Sequence, residues 1–159
     1  MSTWNETEVA APELAAAVRG RFEAHGMGLM ATLRRDGSPR ISGIEPLFAL
    51  GELWLGMMPN SLKGADLRRD PRLALHSATE DKDVTRGDAK IAGRAVEVTA
   101  AGVKQDYLEA LSAATGFEPA ECDVFRVEVT GLSMIQPAGD HLDIHAWVEG
   151  GEARLLQRS

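Results

Sequence analysis

The chain has 159 residues, which suits one domain around one core, and 44% of them are hydrophobic, too many for a disordered chain. With 17 Lys+Arg against 24 Asp+Glu the formal charge is −7, a poor balance for binding nucleic acid, although a local basic cluster can still hold a small anion. The single cysteine, Cys122, forbids an internal disulfide, the opening MSTWNETEVAAPEL has no signal-peptide pattern, and no apolar run approaches the ~18 residues of a membrane span, so a cytoplasmic protein without membrane contact is expected.

Residues 1–10 are polar and read as a loose segment ahead of one domain over residues 11–159. Pro12 opens PELAAAVRGRFEAH, where Leu14, Val18 and Phe22 recur at helical spacing and Gly26 ends the helix. GLMATLR, residues 28–34, alternates as a half-buried strand, and Asp36-Gly37 turns it back as a hairpin. The return strand spans 39–50, with Pro46 marking an edge or a bulge, and Gly51-Glu52 leads into LWLGMM, 53–58, so three antiparallel strands form a meander. A short helix is expected from Ser61 to Asp70, where Pro71 forbids continuation. Strands follow at 72–78 and 88–99, with a charged loop, 79–87, between them. A helix is expected over 101–114, a long strand over 122–135, another over 141–148, and a turn at Gly150-Gly151 into ARLLQR. About seven antiparallel strands with three short helices favour a closed barrel, because closure removes unpaired edges.

The segment MMPNSLKGADLRRDPRLALHSA, residues 57–78, puts a hydroxyl, a cation and a helix start at one point. A helix N-terminus carries unpaired N–H groups and positive potential, Ser61 adds a hydroxyl and Lys63 a full charge, so together they suit a phosphate. Arg40, from the preceding hairpin, supplies a second cation; on a strand it has no capping role, and its loss is expected to leave the melting of the apoprotein nearly unchanged. The alternative is that Ser61 only caps the helix and Lys63 is solvated.

Three pieces in order, ATLRRDGSPRIS (31–42), LWLGMMPNSLKGADLRRDPRLAL (53–75) and DAKIAGRAVEV (88–98), resemble the flavin-binding split barrels related to pyridoxamine 5′-phosphate oxidase. The resemblance covers roughly residues 11–135. It implies a mainly β fold with short helices, an antiparallel six- to seven-stranded split β-barrel. It further implies a homodimer with the cofactor site between two chains, and FMN or a related coenzyme as cofactor. By resemblance Arg40, Ser61 and Lys63 match the phosphate ligands, with Asn60 beside them. Ile41 and Ser42 match strand positions whose backbone faces the ring, and Met57 and Met58 the strand end beside it. Asp88 stands where the vitamin oxidase has Gln. Ile135 replaces its Trp and His141 its substrate-gripping Arg, which argues against pyridoxamine phosphate oxidation. The tail HLDIHAWVEGGEARLLQR resembles small actinobacterial members, several of which use coenzyme F-420, a deazaflavin with a phosphate and an acidic tail.

The function expected is hydride transfer between bound F-420 or FMN and a small organic substrate, with F-420 slightly preferred. A non-catalytic flavin- or haem-binding carrier or sensor of the same fold is the alternative. His141, Asp143 and His145 share one strand face, which suits a solvated or interface surface better than a metal. His76 reads as a satisfied barrel-end histidine and Cys122 as a structural thiol. Arg68, Arg69 and Arg72 could meet an acidic coenzyme tail or simply form a solvated helix face, and Trp147 could cover core or ligand.

Overall fold

A computed structural model describes residues 2–159, and it departs from expectation at its first helix. The Thr3 hydroxyl accepts a hydrogen bond from the Glu6 amide while the Glu6 carboxylate accepts one from the Thr3 amide, a reciprocal pair that starts α1 (Trp4–Ala10). Residues 4–10 are therefore helical, not loose. Trp4 is 1% exposed and sits edge-on to Phe48 at 4.6 Å, which ties the segment to the barrel. In α2 (Pro12–Glu23), Pro12 occupies the first turn and Leu14, Val18 and Phe22 face inward.

The strands follow in the order β1 (Gly28–Leu33), β2 (Pro39–Ile44), β3 (Pro46–Ala49) and β4 (Glu52–Met57). After α3 (Leu62–Arg69) come β5 (Arg72–Ser77) and β6 (Asp88–Glu97). Then follow α4 (Ala101–Thr115), β7 (Asp123–Ala138), β8 (His141–Val148) and β9 (Arg154–Arg158). Each pairing is antiparallel along the path β2-β1-β5-β6-β7-β4-β3, with β8 and β9 added beside the far half of β7. The two ends of that path, β2 and β3, are joined by Glu45 alone, so the chain itself closes the barrel and leaves a split where the two pair with different neighbours. The expected strand over 39–50 is thus two, broken where Pro46 lacks a ladder donor, and the expected meander divides at the same point. The barrel is the antiparallel split barrel that the sequence resembles. No helix among the described residues is long and apolar enough to cross a membrane.

The core lies inside the barrel, where Met30, Leu53, Leu55, Leu75, Ile91 and Val127 are almost fully buried. In the KIAGRAVEV stretch Gly93 stands at a β-bulge against β7, and a Cβ there would come 2.6 Å from the Val127 side chain. α2 meets the Gly28 end of β1 through Phe22, and α3 meets the Thr32 end through Asp66, so the two helices close opposite ends. α4 covers the outside of β4: Trp54, Val98, Tyr107, Cys122 and Val124 form a second apolar cluster there.

Candidate functional site

Asn60 adopts a left-handed backbone (φ 61°), which Asn tolerates better than most residues, and the turn delivers Ser61 in extended conformation. The Ser61 hydroxyl accepts from the Gly64 amide at 3.2 Å, so Ser61 does cap α3. Asp70 ends the helix ahead of Pro71. Lys63, in the first turn, donates from Nζ to the Gly43 carbonyl at 2.9 Å, which joins α3 to the split end of β2.

Arg40 is held differently. Its Nε donates to Asp66 Oδ2 at 2.7 Å, and the same carboxylate accepts from Thr32 Oγ1 at 2.7 Å and from Arg69 Nη2 at 2.9 Å. Asp66 is 2% exposed. Burial pushes its carboxyl up, but the hydrogen bonds from Arg40, Thr32 and Arg69 outweigh that and hold it below the usual carboxylate range. The expectation that losing Arg40 leaves melting nearly unchanged is revised: it is one of three partners of a buried carboxylate. Its Nη groups make no hydrogen bond to any described residue.

Two cavities flank the first turn of α3. The larger, about 830 Å³, lies between the β2–β3 split, the end of β4 and α4; Lys63, Met57 and Met58 line it. Among the described residues that line it, Lys63 is the one cation, against Glu23, Glu45 and Glu121. The smaller, about 510 Å³, has four arginines, Arg34, Arg35, Arg40 and Arg69, against Asp36 and Asp66. Lys63 and Arg40 therefore meet different cavities, while Ile41, Ser42, Asn60 and Ser61 line neither. Ile41 faces outward and is 72% exposed; Met58 at 79% and Leu62 at 66% are also open to solvent.

The other candidates are engaged elsewhere. Arg68 pairs with Glu97 at 2.6 Å and Asp123 at 3.0 Å, and Arg72, on β5 rather than the helix, with Asp70 at 2.6 Å, so of these three arginines only Arg69 reaches the basic cleft. His76 donates from Nδ1 to the Ser77 carbonyl at 2.6 Å, with Asp88 3.6 Å from Nε2. His141 lies between Asp140 and Asp143. The Cys122 thiol is pushed up by burial and stays neutral, and Trp147 belongs to the core. Sequence reasoning missed Asp66 and Tyr107. Asp66 carried one signal, an Arg three residues on; Tyr107 looked like any apolar position of a helix face.

Residues 14–136 match the pyridoxamine 5′-phosphate oxidase family. No curated protein sequence matches. Among solved structures, the chain resembles a pyridoxamine 5′-phosphate oxidase-related, FMN-binding protein of Nostoc punctiforme (12% identity, 93% of this chain and 95% of that one, TM-score 0.63). It also resembles PhzG of Burkholderia lata, solved with tetrahydrophenazine-1-carboxylic acid (13% identity, 93% and 92%, TM-score 0.64). A third likeness is to a haem-binding protein of Mycobacterium smegmatis (20% identity, 84% of this chain, TM-score 0.62), of whose length the chain spans 57%. At these identities the likeness is one of fold.

Proposed function

We propose that this chain, which belongs to the pyridoxamine 5′-phosphate oxidase family, binds a flavin or deazaflavin and transfers hydride between the coenzyme ring and a small organic substrate. The observation that carries the reading is the division of charge around the first turn of α3: a large, mostly apolar cavity with Lys63 at its edge adjoins a cleft of four arginines. The larger volume falls in the range of small-molecule sites, and its apolar walls suit a flat ring. The donor set suits an anion, because Lys63 brings an ammonium bonded to only one carbonyl and Arg40 keeps both Nη groups free while Asp66 fixes its orientation.

The coenzyme, when bound, supplies the hydride chemistry. The chain's own part is to bind and orient. Lys63 and Arg40 balance phosphate charge, Met57 and Met58 offer apolar contact, the Gly43–Ile44 end of β2 lines the ring cavity, and α4 keeps water from the far wall. F-420 is favoured over FMN because a cleft of four arginines suits an acidic tail as well as one phosphate. The vitamin B6 oxidase reaction itself is disfavoured, since His141 stands between two carboxylates where a guanidinium would be needed to hold the substrate's phosphate.

A homodimer completes the reading. Leu29 (46% exposed), Ile41 (72%), Met58 (79%) and Leu62 (66%) lie near the two cavities, and a second copy would cover them. Side-by-side titration of the apoprotein with FMN and F-420, followed by their absorption bands, tests the binding; turnover of the reduced coenzyme with candidate substrates separates an enzyme from a carrier. Saturable binding of one of the two supports the reading, and binding of haemin alone favours the carrier.

A further inference from the structure

Tyr107 is the one tyrosine in the chain. It is 2% exposed, and its ring lies 5.7 Å from that of Trp54 beneath α4. A phenylalanine would make every one of those ring contacts. The hydroxyl is different: no described residue hydrogen-bonds it, yet the residue lines the larger cavity. The hydroxyl oxygen is reached from the cavity, so a molecule bound there can accept its proton in a hydrogen bond.

The facing strand is shaped to admit this group. Gly56 occupies the position of β4 below the hydroxyl, and a Cβ there would stand 2.0 Å from the hydroxyl oxygen. Its neighbours Leu55 and Met57 carry large side chains into the core, so the bare position is a local feature of the wall. Burial first, then Cys122 and Glu45, pushes the Tyr107 pKa up to about 12, so the hydroxyl keeps its proton and can donate. Gly56 lies on β4 and Tyr107 on α4, and the bare glycine leaves room for the tyrosine hydroxyl in the cavity that Lys63 edges.

We infer that the Tyr107 hydroxyl donates a hydrogen bond to a carbonyl of a flat ring bound in this cavity, and that it discriminates among rings by the carbonyl edge they present. The inference rests on the coenzyme reading above and adds a specificity-determining residue to it, supplied by α4.

Lumichrome, a neutral three-ring compound with the flavin's carbonyl edge and no phosphate, separates the two ideas when titrated beside FMN. Tyr107→Phe should weaken both ligands alike, by roughly 3- to 10-fold for one neutral hydrogen bond, without lowering the melting temperature. Lys63→Ala should weaken FMN and leave lumichrome unchanged. Because the chain holds one tyrosine, 3-fluorotyrosine labelling gives a single fluorine resonance, which should move when lumichrome is added. Equal affinities for wild type and Tyr107→Phe, or a resonance that stays still while FMN binds, overturn the role of Tyr107 and leave the coenzyme reading standing. Failure of the wild type to bind lumichrome, FMN or F-420 overturns both.

Discussion

Asp66 shows how a charge can be held inside a small barrel. A buried carboxylate is costly unless its lone pairs are taken, and here Thr32, Arg40 and Arg69 take them. Asp66→Ala should therefore destabilise by about 3–5 kcal/mol in chemical denaturation, since it strands two guanidinium groups. Arg40→Ala should cost about 1.5–3 kcal/mol, the worth of a hydrogen bond to a charged group, so it should lower melting of the apoprotein as well as affinity. The pH dependence has a defined sign. The folded-state pKa of Asp66 lies below its ordinary value, so its contribution is fully present above about pH 4 and is lost as pH falls through the folded value. Asp66→Asn should flatten the loss of stability below about pH 4; an unchanged acid slope would show that other carboxylates set it. At Gly56 the prediction is steric: Gly56→Ala meets the Tyr107 oxygen at 2.0 Å, and the displacement should cost about 1–3 kcal/mol by thermal denaturation.

At the scale of elements, what could be read in advance was what repeats along the chain. The alternation in GLMATLR and KIAGRAVEV, the Asp36-Gly37 turn and the stop at Pro71 all appear where strand period and turn chemistry put them. Ser61 caps α3 as its side chain suggests; the 0.5–2 kcal/mol typical of such caps is the expected loss for Ser61→Ala, read from denaturant midpoints. Long-range pairing was not legible. A polar stretch with one Trp gives no periodicity, so α1 escaped notice, although Trp4 packs against Phe48 more than forty residues away. Trp4→Ala should cost about 3–5 kcal/mol, which a melting curve would show directly. Likewise, Arg40 and Asp66 are separated by 26 residues, and nothing local announces that they meet.

The whole molecule is acidic, yet four arginines gather at one end of it. That partition is the physical basis for expecting a small anionic coenzyme rather than a polyanion such as nucleic acid. On the proposed dimer a second copy would cover the exposed apolar residues near the same cavities, and light scattering at micromolar concentration should report a dimer; a monomer there would count against it. The central claim is that the first turn of α3 receives the coenzyme phosphate through Lys63, and equilibrium titration of wild type and Lys63→Ala with FMN and F-420 tests it most directly. Lys63 is half-buried at the cavity edge and bonded only to one carbonyl, so its loss should barely change folding. The account predicts a loss of roughly ten- to a hundredfold in affinity for the coenzyme that binds, equivalent to roughly 1.5–3 kcal/mol for one charge-assisted contact. An affinity unchanged by Lys63→Ala would contradict it.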